Sequence, residues 1–134
     1  MRNVYTVDRS ELLAFTSLAS QSAKRCMEVC GLLVAEHSRL QLIPVHNASQ
    51  EILSFAVWKQ WEQIALRAAN CPASRIVGAY HSHPISGAVP GESDIAGIKN
   101  GSLMLIAATL PMEYKLWRIN DLTAIPMQLI VSQG

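Results

Sequence analysis

Two histidines and a carboxylate in the middle of the chain have the types and spacing of a metal site. His81 and His83 follow an apolar run that is typical of a buried strand, and Pro84 ends that strand because it has no backbone donor. Side chains two positions apart on a strand point to one face, so the two imidazoles should lie side by side. Asp94 lies where a short helix is predicted to begin. Two imidazoles and a carboxylate form the ligand set of a catalytic zinc site. We therefore predict that His81, His83 and Asp94 bind Zn²⁺.

Glu28 is the candidate for the proton-transfer group of such a site. Amide hydrolysis needs a nucleophile stronger than neutral water, and zinc supplies one by lowering the pKa of bound water to about 7. A carboxylate that is not a ligand can then accept the proton and pass it to the leaving amine. Glu28 lies just before a strand predicted to begin at Gly31, where it can face ligands at the end of a neighbouring strand.

Each of these residues also has a simpler interpretation. Asp94 alone would be stabilised as a carboxylate at a helix start, and Glu92 is a rival ligand, although Asp94 is favoured. Glu28 alone would be an ordinary solvated charge. His37 and His46 lie near a turn and a strand end without partners, so both are expected to be exposed.

The composition predicts one globular domain over residues 1–134. Half of the residues are apolar and 16% are charged, which excludes a disordered chain. The formal net charge of +1 gives no reason to expect nucleic acid or a membrane surface as a partner. Neither a bilayer-spanning window nor an apolar signal core is present, so we expect a soluble, cytoplasmic protein.

Other catalytic classes lack their residues. The odd number of cysteines, Cys26, Cys30 and Cys71, is not a disulfide framework, and buried free thiols are expected. Cys30 is close to Glu28, but burial in an apolar run would suppress its thiolate. The chain contains no Gly-rich phosphate loop, no His-Glu-x-x-His and no zinc-deaminase signature.

The periodicity predicts the element order β-α-β-β-α-β-α-β-β-β. A mixed sheet between helices, in an α/β or α+β domain, accommodates this order. The predicted strands are 3–7, 31–35, 39–45, 75–83, 103–110, 114–119 and 123–131, and the predicted helices run from a capping-box-like start at Asp8 to Lys24, from Ser54 to Ala69, and from Ser93 or Asp94 to Asn100.

These motifs together resemble the JAMM (MPN-domain) zinc metalloprotease family. The chain has Glu28-Val-Cys-Gly-Leu-Leu33, then His81-Ser-His-Pro84, then Pro90-Gly-Glu-Ser-Asp94, in the order of the family pattern. The resemblance covers nearly the whole chain. It implies the MPN fold, a curved mixed β-sheet flanked by helices with a cytidine-deaminase-like architecture. It also implies zinc on His81, His83 and Asp94, with Glu28 as general acid and base.

The sequence departs from the family pattern at one functional position. Gly91 stands where the family has a serine that helps to hold the water and the tetrahedral intermediate. Loss of such a donor can lower the rate by ~10²–10³. Ser93 is the candidate to replace it, and the other outcome is a slow or inactive protein.

The resemblance also implies the substrate class. Family members hydrolyse isopeptide or peptide bonds after the C-terminal tail of ubiquitin or a ubiquitin-like protein. This chain looks most similar to compact bacterial-type members, which resemble enzymes that release sulfur-carrier or ubiquitin-like proteins from cysteine, lysine or a fused extension. An extended tail could add to a sheet edge near the metal, bordered by the 85–89 loop. Two alternatives remain. Gly91 favours a catalytically weak or inactive MPN scaffold, and residues 81–87 partly match the signature of a RadC-like domain.

Overall fold

The chain folds around a strongly curved β-sheet. The computed structural model describes residues 3–45, 63, 75–96 and 98–133, apart from the side chain of Ser93. Within this range the strands are β1 (Val4–Asp8), β2 (Cys30–Glu36), β3 (Arg39–Val45), β4 (Ile76–His83), β5 (Leu103–Thr109), β6 (Met112–Asn120) and β7 (Thr123–Ser132). The helices with both ends in this range are α1 (Arg9–Ala23) and α2 (Glu92–Ala96).

The two outer strands of the sheet pair with each other. The strand order is β1-β3-β2-β4-β5-β6-β7, and β1 also pairs in parallel with β7, from Val4 opposite Gln128 to Asp8 opposite Ser132. The predicted α/β (α+β) class with a curved mixed sheet is confirmed. The curvature is larger than expected, since it closes the sheet into a barrel.

Strand β4 lies in the middle of the sheet and carries the His-Ser-His segment. It pairs antiparallel with β2 and parallel with β5. A parallel pair needs a crossover connection, since its strands cannot be joined by a tight turn. That crossover, residues 84–102, contains α2 and so brings Asp94 back over the sheet.

Successive side chains of the central strands alternate between the two faces of the sheet, and both faces are buried. The helix face contacts α1 and includes Leu33, Tyr80 and Leu105. The opposite face, which we call the site face, includes Leu32, Ala79 and Ile106. Each leucine or isoleucine buried in this way contributes about 1.5–3 kcal/mol to stability. The sheet is therefore a stable support for side chains at the end of β4.

Helix α1 begins where the sequence predicts, but the predicted cap does not form. The Asp8 side chain makes no capping hydrogen bond; its carboxylate instead binds Arg39 and the hydroxyl of Ser132. The Glu11 carboxylate accepts a hydrogen bond from the Leu42 N–H at 2.9 Å. The capping-box interpretation was wrong because tertiary partners on β3 and β7 compete for these two carboxylates.

Helix α1 packs against the sheet along one narrow apolar stripe. Leu12, Phe15 and Ala19 are buried against the helix face of the sheet, and the Phe15 ring packs edge-on against Tyr80 with 4.6 Å between ring centroids. Leu13 and Leu18, which lie close to this stripe, are exposed.

The end of α1 directs the chain toward the site. Cys26 has a left-handed backbone with φ 54°, and its N–H donates to the Ala23 carbonyl while the Met27 N–H donates to the Ser22 carbonyl. These are the two bonds of a Schellman motif, which ends a helix and turns the chain sharply. The next residue is Glu28.

Most of the other predicted strands agree with the structure to within two residues at their ends. The strand at 39–45 is confirmed at both ends, and the strands near 31–35, 103–110, 114–119 and 123–131 are confirmed with shifts of one or two residues at their ends. The short helix is α2, which ends earlier than predicted. The predicted helix from Ser54 to Ala69 lies almost wholly outside the described residues, and Cys71 and His46 lie outside them too. In the described part of the chain, every helix is too short or too polar to cross a bilayer.

Candidate metal centre

Strand β4 presents two buried imidazoles on the site face of the sheet. His81 and His83 are 1% and 8% exposed, and they share their face with Ala79. Their Nε2 atoms lie 3.0 Å apart. The strand geometry thus brings the two rings together as the His-x-His spacing predicts.

The carboxylate of Asp94 reaches both imidazoles from α2. Its Oδ2 atom lies 3.3 Å from Nε2 of His81 and 3.3 Å from Nε2 of His83. The Gly91 N–H donates to the same oxygen at 2.9 Å, and the Ile95 N–H donates to the Gly91 carbonyl at 3.1 Å. The first turn of the helix therefore fixes the carboxylate over the end of β4.

The charges of these groups depend on one another. Burial alone would raise the pKa of the Asp94 carboxyl, but hydrogen bonds from His81 and His83 outweigh it and hold that pKa well below its ordinary value. The pKa of His83 is raised, chiefly by its hydrogen bond to Asp94. The site therefore holds Asp94 as a carboxylate that attracts positive charge.

The spacing of the three donor atoms fits zinc. Ligands at about 2.0–2.2 Å around a tetrahedral zinc ion are about 3.3–3.6 Å from one another, and the observed separations of 3.0, 3.3 and 3.3 Å lie at or slightly below that range. Nδ1 of His83 donates to the Gly87 carbonyl at 2.7 Å. When the ring is neutral, the lone pair therefore lies on Nε2, which faces the other two donor atoms. The lone pairs of two imidazoles and a carboxylate repel one another at this distance unless a shared cation or proton lies between them. The residues present therefore fit a divalent metal.

Glu28 lies at the entrance to this group. It is half-buried, and it lines a cavity of about 350 Å³ together with His83 and residues 84–86. Its negative charge contributes to the raised pKa of His83, after the larger effect of Asp94. The structure thus places Glu28 and a predicted ligand on one cavity.

A pair of hydrogen bonds fixes the segment that carries Glu28. The Ser82 N–H donates to the Val29 carbonyl, and the Val29 N–H donates to the Ser82 hydroxyl oxygen, both at 2.9 Å. The β2–β4 ladder ends at Cys30 opposite His81, so this pair extends it by one residue. Glu28 is therefore held relative to the two histidines that flank Ser82.

Gly91 has space for a side chain. A Cβ atom at this position would meet Oδ2 of Asp94 at 3.5 Å, an ordinary van der Waals distance. The backbone of Ser93 lies in α2, but its side chain is outside the described part of the chain, so its predicted role stays a prediction.

The structure also bears on the predictions made for Glu92, His37 and the cysteines. Glu92, the rival ligand, is exposed, whereas Asp94 lies with the histidines. His37 is exposed, as predicted. The expectation of buried thiols is right for Cys30, whose pKa burial raises to about 11, and wrong for Cys26, which is exposed. Cys26 occupies the turn that ends α1, where its side chain points away from the core.

The sequence pattern missed the residues that support the ligands. The contacts of Ser82 with Val29 and of Gly87 with His83 join segments whose proximity depends on the folded sheet. The sequence shows a glycine, Gly87, in the loop at residues 85–89. Residue spacing cannot show that the carbonyl of this glycine accepts a hydrogen bond from His83.

Comparisons with known proteins identify the family of the chain. Residues 14–120 match the family model described as prokaryotic homologs of the JAB domain. The chain is also similar to Desampylase from Pyrococcus furiosus, with 26% identity over 121 residues that cover 90% of this chain and 84% of the relative.

Solved structures share the fold. A protein from Desulfitobacterium hafniense, solved in solution, has a TM-score of 0.73 at 20% identity, covering 98% of this chain and 94% of its own. A JAB1/MPN domain protein from Archaeoglobus fulgidus has a TM-score of 0.54 at 15% identity, covering 94% and 98%. A structure described as JAMM, a metalloprotease-like zinc site in the proteasome and signalosome, has a TM-score of 0.52 at 16% identity, covering 95% and 98%.

The family match covers most of the chain. The protein belongs to the prokaryotic JAB-domain family, and its fold is that of JAMM and MPN domain proteins. The resemblance inferred from the three sequence motifs is confirmed.

Proposed function

We propose that the protein is a zinc-dependent isopeptidase that hydrolyses the bond after the C-terminal tail of a ubiquitin-like or sulfur-carrier protein. The observation that carries this proposal is the convergence of His81 Nε2, His83 Nε2 and Asp94 Oδ2 to within 3.0–3.3 Å. Membership of the JAB-domain family and the similarity to Desampylase support it.

His81, His83 and Asp94 would hold the zinc ion. Zinc, when bound, supplies a water molecule of lowered pKa and polarises the scissile carbonyl. The Gly91 N–H and the Gly87 carbonyl orient Asp94 and His83 through the contacts described above.

Glu28 would move the proton. A general base must come within hydrogen-bond reach of the proton that it takes, and Glu28 shares its cavity with His83. It would accept the proton of the attacking water and deliver it to the leaving amine. The neighbouring Cys30 is excluded as a nucleophile because its pKa of about 11 keeps it a thiol at neutral pH.

A catalytically weak scaffold is the second candidate, and Gly91 favours it. The donor that the family serine provides is absent from position 91. In this alternative the domain would bind a ubiquitin-like partner without cleaving it. The net charge of +1 gives no support to a DNA-binding role, so a RadC-like function is the weakest of the three.

The test is cleavage of ubiquitin-like proteins fused through their C-terminal tails to a reporter. We expect cleavage by the wild type, no cleavage by Glu28→Ala, and loss on chelation that zinc reverses. Equal absence of cleavage by wild type and Glu28→Ala across several fusions, with binding retained, would favour the scaffold.

A further inference from the structure

We propose that Trp117 and Glu113 on β6 are positioning residues for His83, acting through the loop at residues 84–90. The inference deepens the proposed function and rests on it, because His83 is there a zinc ligand. Neither residue belongs to the sequence motifs of the site.

Both backbone groups of Ala88 are held by β6 side chains. The Trp117 indole N–H donates to the Ala88 carbonyl at 2.9 Å, and the Ala88 N–H donates to Oε1 of Glu113 at 3.3 Å. The Ala88 side chain is fully buried in the core of the site face. One residue of the loop is thus fixed by two hydrogen bonds and by packing.

The residue before Ala88 makes the contact that orients His83. The Gly87 carbonyl accepts the Nδ1–H of His83 at 2.7 Å. The Gly87 carbonyl and the Ala88 N–H belong to one planar peptide unit, so the contact of Glu113 with that N–H fixes the direction of the carbonyl. Trp117 holds the peptide unit that follows, through the Ala88 carbonyl. The Gly87 carbonyl selects the tautomer in which Nε2 carries the lone pair.

The register of the sheet explains why β6 can reach a ligand on β4. Ala108 of β5 lies opposite His83 on one side and opposite Glu113 on the other. His83, Ala108 and Glu113 therefore form one row on the site face. The loop reaches across to β6, since Ala88 contacts both Glu113 and Trp117. A further hydrogen bond supports the loop, since the Thr109 hydroxyl donates to the Pro84 carbonyl at 3.3 Å.

Each contact has a substitution that removes the hydrogen bond. Trp117→Phe keeps an aromatic ring but removes the N–H, so the buried Ala88 carbonyl loses its donor. Glu113→Ala removes the acceptor, whereas Glu113→Gln keeps an amide oxygen that can accept from Ala88. Tyr114→Phe removes a polar group from the opposite face of β6 and serves as the control.

The experiment measures the zinc dissociation constant of the metal-free proteins by competition with a chromophoric chelator. Loss of the group that hydrogen-bonds a ligand directly lowers metal affinity by about 10- to 100-fold. Trp117 and Glu113 act one contact further out, so we expect a loss of up to that size for Trp117→Phe and Glu113→Ala, and wild-type affinity for Glu113→Gln and Tyr114→Phe. Nitrogen NMR of the metal-free protein at alkaline pH should show His83 protonated on Nδ1 in the wild type and a tautomer mixture in the two weakened variants.

The outcomes separate this inference from the proposed function. A wild type that binds zinc, with Trp117→Phe and Glu113→Ala binding equally well and keeping the Nδ1–H tautomer, would overturn the positioning role alone. A wild type that binds no zinc would overturn the proposed metal centre, and this inference with it. Unfolding midpoints of all variants show whether a weakened variant is merely unfolded.

Discussion

The hydroxyl oxygen of Ser82 accepts the backbone N–H of Val29 at 2.9 Å, and the Ser82 N–H donates to the Val29 carbonyl at the same distance. Ser82 lies between the two histidines, and Val29 follows Glu28. This reciprocal pair therefore links the strand that carries two predicted ligands to the segment that carries the predicted proton-transfer group.

Replacement of Ser82 should affect both stability and turnover. Ser82→Ala leaves the buried Val29 N–H without its acceptor, at a cost of about 1–3 kcal/mol in the free energy of unfolding. We expect kcat to fall as well, because one of the two hydrogen bonds that hold the segment carrying Glu28 is lost. Ser82→Thr keeps the hydroxyl and should restore both values. Denaturant unfolding and steady-state kinetics measure them, and normal stability and kcat in Ser82→Ala would refute the linking role.

Glu28→Gln should separate metal binding from proton transfer. The side chain keeps its size but loses the basic oxygen, so kcat should fall by ~10²–10⁴. Zinc content should equal that of the wild type, because Glu28 is not among the three converging ligands. Kinetics and metal analysis of the same sample check both statements. A variant that retains wild-type kcat would exclude Glu28 as the acid and base.

Gly91→Ser tests the departure from the family pattern. The new Cβ atom has ordinary contact distance to Oδ2 of Asp94, so the variant should fold and keep its helix start. A restored donor near the scissile carbonyl should raise kcat, by up to ~10²–10³ if no other group supplies it.

The companion variant Ser93→Ala identifies a replacement donor. If Ser93 has taken over the role, its loss should lower kcat sharply, and Gly91→Ser should then rescue the double variant. Unchanged turnover in Ser93→Ala would show that Ser93 does not replace the family serine.

The two described cysteines should differ strongly in reactivity. Cys26 is exposed, whereas burial, with a smaller effect of the Glu28 charge, raises the pKa of Cys30 to about 11. A group with a raised thiol pKa stays protonated and inert, so iodoacetamide at about pH 8 should label Cys26 and spare Cys30. Peptide mass spectrometry locates the label, and denatured protein serves as the control, in which both thiols react. Labelling of Cys30 in the folded protein would contradict the burial.

The sequence was informative where chemistry depends on local geometry. The two-residue strand period places His81 and His83 on one face, and Asp94, predicted near a helix start, lies in the first turn of α2 beside them. The strand at 39–45 follows equally from local composition.

Long-range contacts account for what the sequence did not reveal. Closure of the barrel joins β1 to β7, and no local pattern records that pairing. Asp8 and Glu11 look like a capping box, but Arg39, Ser132 and the Leu42 N–H bind them instead. The support of His83 by Trp117 likewise depends on the loop that crosses the sheet.

The central claim is that His81, His83 and Asp94 hold one zinc ion, and direct metal analysis tests it most simply. Purified protein, stripped with a chelator and dialysed against zinc, should retain about one ion per chain. His83→Ala and Asp94→Ala should retain almost none, whereas His37→Asn, which changes an exposed histidine in a left-handed turn, should bind zinc as the wild type does. A wild type that retains no zinc, or ligand variants that retain as much as the wild type, would contradict the account.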